Sequence, residues 1–249
     1  MTLKLKHLIP ASIAATVLFS GIANATILTV FDGIPTGSAS FDATVTGAGG
    51  TVVSDVWAAL PSGGTSIVRT DYTITRNNGG SLFPTTYGSM SGQVISINPD
   101  GNFPGSNGTI ASGITFTFNN PVNSFGFEVG DWATCCFNPT TDLYISFDDG
   151  APILVASAST ETEGQFPNAA GSIVHEIFVA AFDDSGDFTK VQFWGTGSGE
   201  VLVAGGEIKY ALLDQGSLPP TNGVPEPASL ALLGIGMAGL AAMRRRKAA

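Results

Sequence analysis

The chain has 249 residues, 43% of them hydrophobic, and its 20 acidic and 10 basic side chains give a formal net charge of −10. Six of the basic residues lie near the two ends, so residues 26–223 hold four basic and nineteen acidic side chains, a net charge of about −15. A surface this acidic argues against binding to nucleic acid or to anionic lipid. It is compatible with neutral glycans, divalent cations or simple solubility outside the cell.

The first 25 residues have the three parts of a signal peptide. Lys4 and Lys6 form a basic start, residues 8–19 are mostly apolar, and Ala23 and Ala25 are small residues at the positions that a signal peptidase requires. The apolar run is too short to span a bilayer, which takes about 20 residues. We therefore predict a signal peptide over residues 1–25, removed by signal peptidase after Ala25.

Residues 26–218 are predicted to form one all-β passenger domain. Residues 114–118 and 143–147 alternate apolar and polar side chains, as half-buried strands do, and the Asp-Gly turn at 149–150 leads into a further strand at 153–155. No fixed repeat is visible, which argues against the alternatives of a closed barrel or a β-helix. Short strands separated by glycine, proline and asparagine turns favour a two-sheet, jelly-roll-like β-sandwich. The other predicted strands are 27–31, 44–46, 67–74, 93–97, 124–129, 175–181, 190–194 and 206–212.

Cys135 and Cys136 are adjacent and are the only cysteines. Export to an oxidising compartment favours a disulfide, although adjacent cysteines can close only a strained ring. Three interpretations stay open: a vicinal disulfide that stiffens the loop after Trp132 and offers a flat platform for a sugar ring, two buried thiols, or bridges between copies of the chain. Two neighbouring sulfurs supply too few ligands for a zinc site.

The sequence offers little support for catalysis. His175 is the only histidine outside the predicted signal peptide, and it lies in a strand-like run where a structural role is the more common one. No nucleophile elbow, phosphate loop or zinc-protease motif is present. Nineteen acids supply many carboxylate pairs of the kind a glycosidase needs, but the sequence singles none out. We therefore predict that the chain is not an enzyme.

One acidic turn could hold calcium. Asp183, Asp184 and Asp187 place three carboxylates around Gly186, and oxygen-rich turns suit a hard cation. The spacing does not match an EF-hand loop, and a solvated acidic turn is the alternative. Calcium is the only cofactor that the sequence suggests.

The chain closes with a linker and a predicted membrane anchor over residues 219–249. Residues 228–243 contain only one polar side chain, Ser229, and would form a helix about 24 Å long. Arg244, Arg245, Arg246 and Lys247 follow at once and should stay in the cytoplasm. We predict a transmembrane helix at about 228–243, with the passenger on the opposite side of the membrane.

This tail resembles a known sorting signal. Val224, Pro225, Glu226 and Pro227, the apolar helix and the final basic cluster follow one another as in the PEP-CTERM sorting domain of Gram-negative bacteria. The resemblance implies an exosortase substrate that resides transiently in the inner membrane and then reaches the cell surface or the extracellular space. It also implies an association with exopolysaccharide and biofilm. An ordinary tail anchor with a proline-rich hinge is the alternative.

A second, fold-level resemblance lies within the passenger. The run GITFTFNNPVNSFGFEVGDWATCCFNPTTDLYISFDDG at residues 113–150 is similar to the sandwich passengers of other PEP-CTERM proteins. This similarity implies the fold and carries no catalytic residues.

We expect the passenger to bind extracellular polysaccharide and to contribute to a biofilm matrix. Aromatic side chains would stack on sugar rings, with Trp132 as the first candidate and Trp57 and Tyr87 as others. Two alternatives remain: a structural or adhesive surface protein that self-associates without a specific ligand, and a hydrolase of matrix polymers.

Overall fold

The computed structural model describes residues 26–98, 113–197 and 200–219, and these form an all-β domain with one α-helix. The prediction of two antiparallel sheets is confirmed. The predicted signal peptide and membrane anchor lie outside the described residues. Within the described part of the chain, no helix is long and apolar enough to cross a membrane.

The elements follow one another along the chain without a repeat. They are β1 (Ile27–Gly33), α1 (Ile34–Gly47), β2 (Val53–Val56), β3 (Ser66–Val68), β4 (Tyr72–Arg76), β5 (Pro84–Thr86), β6 (Gln93–Ile97), β7 (Ile114–Val122), β8 (Ser124–Gly130), β9 (Thr141–Phe147), β10 (Ile153–Ala158), a 3₁₀-helix (Glu161–Gly164), β11 (Phe166–Pro167), β12 (Ile173–Val174), β13 (Glu176–Asp183), β14 (Phe188–Gly195) and β15 (Leu202–Ala211).

Two antiparallel sheets face each other across one core. The larger sheet has the order β1-β13-β8-β15-β6-β5, with β2 also paired to β15, and the smaller sheet has the order β10-β9-β14-β7-β4-β3. The strands β11 and β12 form a separate short hairpin. Aromatic rings join the two layers. The ring centroids of Phe116 in the smaller sheet and Phe125 in the larger sheet are 4.6 Å apart, and those of Phe193 and Phe127 are 4.7 Å apart.

The alternation of side chains determines which residues reach this core. In β8, Phe125, Phe127 and Val129 are buried between the sheets. Successive side chains of a strand point to opposite faces, so Gly126 and Glu128 lie on the outer face of the larger sheet. The alternation predicted for residues 114–118 is confirmed, because Ile114, Phe116 and Phe118 all lie in the core.

Part of that outer face is covered by α1. Phe41 and Val45 of the helix form a second apolar cluster with Phe178 and Phe182 of β13. The helix lies close to the sheet at Gly37, where a Cβ atom would be 2.7 Å from the Phe178 side chain.

The predicted strand at 44–46 is wrong, because these residues form the last turns of α1. The buried residues of the helix, Gly37, Phe41 and Val45, are spaced four apart and form a stripe one residue wide. Only two of the three are large apolar residues, so the helical pattern is faint in the sequence.

The predicted strand at 67–74 is two strands, β3 and β4. They are joined by a tight turn in which the Arg69 N–H donates to the Tyr72 carbonyl at 2.8 Å. The short strands β2 and β5 were not predicted. All of their side chains are exposed or half-buried, so they lack a buried apolar face that alternation could reveal.

Candidate binding cleft

The outer face of the larger sheet also carries three carboxylates. Glu128 lies on β8, Glu176 on β13 and Glu207 on β15, three neighbouring strands. In the register of the sheet, Glu128 is paired with Phe178 on one side and with Gly205 on the other. These acids therefore lie on the same face of the sheet as the apolar cluster under α1.

Residues 88–91, here called the serine segment, are held onto two of these carboxylates. Glu176 accepts hydrogen bonds from the Ser89 backbone N–H at 2.9 Å and from the Ser89 hydroxyl. Glu128 accepts them from the Ser91 N–H at 2.7 Å and from the Ser91 hydroxyl at 2.5 Å. Each buried carboxylate thus receives two donors from one serine, and bonds to a charged acceptor are about twice as strong as neutral ones.

Burial makes the charged form of Glu128 unfavourable. Burial, with a smaller contribution from the nearby Glu207 charge, raises the pKa of Glu128, and the hydrogen bonds from Ser91 oppose this rise. Glu128 and Glu176 are both buried. We conclude that these two acids position the serine segment and are not free to contact a ligand.

Two glycines let the backbone approach these acids. A Cβ atom at Gly88 would lie 1.7 Å from Glu176 Oε1, and one at Gly206 would lie 2.1 Å from Glu128 Oε2. Both glycines also have positive φ values, 49° and 67°. A residue with a side chain would be strained and would displace the carboxylate, so glycine is required at both positions.

Between the serine segment and α1 lies a cleft with a volume of about 410 Å³. This volume falls in the range of small-ligand sites, about 300–1,000 Å³. The wall is formed by the start of α1, the serine segment, the turn between β11 and β12, and two of the acids. The lining residues are Ile34, Pro35, Ser38, Ser89, Ser91, Asn168, Ala169, Ala170, Glu176 and Glu207.

Glu207 is the accessible carboxylate of the cleft, with 23% of its side chain exposed. It accepts hydrogen bonds from the Ser54 hydroxyl at 2.6 Å and from the Ser38 hydroxyl at 3.4 Å, and it lies 3.8 Å from Lys209 Nζ. Asn168 donates through its side-chain amide to the Ser89 hydroxyl at 3.3 Å. The cleft therefore presents hydroxyl, amide and carboxylate groups, which pair with the hydroxyls of a polar, uncharged ligand.

Tyr87 lies beside the cleft and is half-exposed. Its ring lies over Gly130, where a Cβ atom would be only 2.7 Å from the ring carbon Cδ1. Burial, and after it the nearby Asp131 carboxylate, raises the pKa of Tyr87 to about 12. Of the three aromatic candidates for stacking on a sugar, this is the one with exposed surface.

The other two aromatic candidates are buried. Trp132 is 0% exposed and contacts Phe31 edge-to-face, with ring centroids 5.4 Å apart. Trp57 is also fully buried, and its Nε1 donates to the Tyr72 hydroxyl at 2.8 Å. The prediction that Trp132 or Trp57 stacks on a sugar is wrong, because neither ring has a free face.

Cys135 and Cys136 are joined as a vicinal disulfide. Their sulfur atoms and a carboxylate oxygen of Glu200 all lie within 4.8 Å of one another, the only such group of three or more His, Cys, Asp or Glu among the described residues. Glu200 is 0% exposed, and burial raises its pKa to about 7. The backbone amides of residues 133–135 lie close enough to oppose this rise, but no described residue makes a hydrogen bond of good geometry to either oxygen.

The structure does not bring the three carboxylates of the predicted calcium turn together, since among the described residues they form no group of ligand oxygens within 4.8 Å of one another. Asp184 is buried and accepts hydrogen bonds from the Thr26 N–H at 2.6 Å and the Leu218 N–H at 2.8 Å. Asp183 accepts a hydrogen bond from the Ser185 N–H at 3.0 Å, and Asp187 is exposed. These residues serve to organise the loop between β13 and β14.

His175 makes local contacts of a structural kind. Its Nδ1 lies 3.1 Å from the Trp132 carbonyl oxygen, and its Nε2 lies 3.4 Å from Glu161 Oε1. His175 lies in the bend between β12 and β13, and these contacts join that bend to the loop after β8 and to the 3₁₀-helix. They agree with the structural role expected from the sequence.

Sequence reasoning did not find the acids of the cleft. A signal for two of them is present: Glu128 is a charged residue inside the apolar run SFGFEVG, and Glu176 stands at the start of the run EIFVAAF. A carboxylate within such a run must find partners when it is buried. The residues Val224, Pro225, Glu226 and Pro227, the basic cluster at 244–247, and Ala23 and Ala25 lie outside the described residues.

Solved structures resemble the domain only weakly. One is a mutant of a family 29 carbohydrate-binding module. Its alignment covers 69% of this chain and 100% of the module, at 13% identity and a TM-score of 0.34. Another is the catalytic domain of a family 87 α-1,3-glucanase in complex with tetrasaccharides. Its alignment covers 68% of this chain and 31% of the glucanase chain, at 14% identity and a TM-score of 0.30. Scores this low do not establish a shared fold or a shared ligand.

Sequence comparison is informative for the tail alone. No curated protein matches the chain significantly. The family model of the PEP-CTERM protein-sorting motif matches residues 223–247, which confirms the resemblance seen in the sequence. The chain therefore carries a PEP-CTERM protein-sorting motif at residues 223–247.

Proposed function

We propose that this chain is an exosortase-sorted surface protein whose β-sandwich domain binds extracellular polysaccharide in the cleft beside α1 and contributes to a biofilm matrix. The observation that carries the proposal is the cleft of about 410 Å³ lined by serine, asparagine and glutamate side chains. The sorting motif supplies the surface location.

The lining chemistry supports a neutral, hydroxyl-rich ligand. A sugar hydroxyl both donates and accepts, so it can donate to Glu207 and accept from Asn168 or Ser38 in the same site. Glu128 and Glu176 are buried, whereas 23% of the Glu207 side chain is exposed, which leaves Glu207 as the carboxylate available to a ligand. The net charge of about −15 over residues 26–223 disfavours anionic polymers.

The proposal includes the processing steps. Signal peptidase would remove residues 1–25, and the apolar segment 228–243 with its basic cluster would hold the chain transiently in the inner membrane of a Gram-negative bacterium. Exosortase would then recognise the motif at Val224, Pro225, Glu226 and Pro227 and release the passenger toward the cell surface.

The jelly-roll topology belongs to the same proposal. The strands from β6 to β9 lie alternately in the larger and the smaller sheet, and so do those from β13 to β15. Crossing between the sheets in this way is the connectivity that a jelly roll requires.

Self-association is a second candidate function, favoured by one apolar edge. Val53 and Val56 of β2 are 41% and 44% exposed, and Leu212 after β15 is 47% exposed. Among the described strands, β2 pairs only with β15, so its other edge offers backbone groups to a second copy. A sedimentation coefficient that rises with protein concentration, together with no retention by polysaccharide, would favour this candidate.

Affinity electrophoresis tests polysaccharide binding. The chain from residue 26 to residue 249 would be run in non-ionic detergent through gels that contain exopolysaccharide purified from the host, hydroxyethylcellulose or no polymer. We expect a neutral polymer to retard the protein, and Glu207→Gln to weaken this retardation on the order of tenfold, because hydrogen bonds to a charged group contribute about 1.5–3 kcal/mol. Asp187→Asn, an exposed acid in the loop between β13 and β14, is the matched control.

Three results would contradict the proposal or redirect it. Unchanged mobility in every polymer gel would rule out binding of those polysaccharides and leave self-association as the better account. Equal weakening by Asp187→Asn would show an effect of net charge alone. Release of reducing sugar during the run would identify a hydrolase.

A further inference from the structure

One buried carboxylate joins the two ends of the described domain. Asp184, in the loop between β13 and β14, accepts the Thr26 backbone N–H at 2.6 Å and the Leu218 backbone N–H at 2.8 Å. Thr26 precedes β1, the first strand, and Leu218 is seven residues beyond the end of β15. The Asp184 N–H in turn donates to the Thr26 carbonyl at 3.4 Å.

This carboxylate lacks a compensating positive charge. Asp184 is 1% exposed, and the groups that donate to its carboxylate, the Thr26 and Leu218 backbone amides, are neutral. No Lys, Arg or His side chain of the described ranges forms an ion pair with it; Lys190 pairs with Asp149 and Lys209 with Asp42. A buried charge without a counter-charge is strongly destabilising, so this is the arrangement in which a nearby cation would stabilise most.

Removal of the predicted signal peptide would create such a cation at the Thr26 nitrogen. The predicted signal peptide ends at Ala25, so its removal hydrolyses the Ala25–Thr26 peptide bond. Water adds to the Ala25 carbonyl carbon and the C–N bond breaks. Ala25 leaves as a carboxylate with residues 1–25, and the Thr26 nitrogen takes up a proton to become an α-ammonium group.

We propose that this processing step converts the hydrogen bond between Thr26 and Asp184 into a buried ion pair that locks the ends of the domain together. The nitrogen that gains the charge is the atom already 2.6 Å from Asp184 Oδ1. Before cleavage the same nitrogen is a neutral amide, and Asp184 remains uncompensated. The domain therefore reaches its full stability only after the signal peptide has been removed, when the chain has crossed the membrane.

A comparison of two chain starts tests the ion pair. One protein begins at Thr26, released from a cleavable fusion, and the other begins at Ala25, which moves the α-ammonium group by one residue and restores an amide at Thr26. Both run to residue 249, in non-ionic detergent, and each is also made with Asp184→Asn. Urea denaturation of the four proteins gives the folding equilibrium constants.

We expect the extra residue to lower the folding equilibrium constant about tenfold or more when Asp184 is present, as for loss of a charge-assisted hydrogen bond. We expect little effect of the extra residue in the Asp184→Asn background. Equal stability of the two chain starts, or an equal loss in both backgrounds, would overturn the proposal.

Two further measurements keep the proposal falsifiable if Asp184→Asn does not fold. Nα-acetylation of the chain that begins at Thr26 neutralises the ammonium group and leaves Asp184 intact, so it should destabilise as much as the extra residue does. Intact mass of the protein recovered from the host should place its first residue at Thr26. A stable acetylated protein, or a different first residue, would refute the inference.

Discussion

The outer face of the larger sheet is covered in two different ways. Over one part, α1 buries Phe41 and Val45 against Phe178 and Phe182. Over the other part, the serine segment is held by hydrogen bonds to Glu128 and Glu176. One strand, β13, thus carries both contacts, with Phe178 and Phe182 under the helix and Glu176 under the serine segment.

The apolar covering by α1 and the polar covering by the serine segment serve different purposes, stability and recognition. Burial of an aromatic side chain stabilises a fold by about 1.5–3 kcal/mol or more, and a hydrogen bond to a charged group contributes a similar amount, about 1.5–3 kcal/mol. Burying the two carboxylates offsets part of this gain, and the polar part is the one that leaves hydroxyl, amide and carboxylate groups at a cleft. We infer that α1 holds the sheet and that the serine segment shapes the binding site.

Phe41→Ala should have the largest effect on stability. Phe41 is fully buried and stacks on Phe182 with ring centroids 5.0 Å apart, so its loss leaves a cavity under α1. We expect the free energy of unfolding to fall by about 3–5 kcal/mol. Urea denaturation followed by tryptophan fluorescence measures this change. The molecules that remain folded should still bind polysaccharide.

The same substitution at an exposed position is the control. Phe83→Ala removes a side chain that is 59% exposed, and we expect a loss below about 1 kcal/mol. If Phe41→Ala and Phe83→Ala had similar effects, the helix would not be packed on the sheet as described here.

Gly88→Ala should have a smaller effect on stability and a direct effect on binding. The new Cβ atom would collide with Glu176 Oε1 and would sit in a backbone conformation with positive φ. We expect a loss of about 2–3 kcal/mol and displacement of the serine segment. Affinity electrophoresis should show weakened retention even at temperatures where the variant is folded.

Gly63→Ala separates backbone strain from collision. Gly63 also has positive φ, 87°, but beyond its chain neighbours no heavy atom in the part of the chain that the structure describes lies within 4 Å of the position of its Cβ. Its substitution should therefore cost only the strain, about 1 kcal/mol, and leave binding unchanged. Equal effects of the two substitutions would mean that the contact between Gly88 and Glu176 does not matter.

Local patterns predicted much of the fold. The alternating residues 114–118 and 143–147 became β7 and β9 because a half-buried strand must alternate. The sorting motif was also recognised, because all of its parts are adjacent in the chain. The helix α1 was missed, since one member of its buried stripe is Gly37 and not a large apolar residue.

The cleft depends on contacts that the sequence does not reveal. Ser89 and Glu176 are 87 residues apart, and Ser91 and Glu128 are 37 apart, so no local pattern links them. Trp132 was mispredicted for a related reason. It lies in a loop, where exposure is common, but Phe31 of the distant strand β1 packs against its ring.

The most direct test of the account blocks the cleft without changing its charges. Ala169 is exposed and lines the cleft in the turn between β11 and β12, so Ala169→Trp should fill the opening with little effect on stability. We predict that the variant keeps the melting temperature of the parent protein and loses retention in gels that contain the polysaccharide bound by the parent. Undiminished retention by a folded Ala169→Trp protein would show that the polysaccharide does not bind in this cleft.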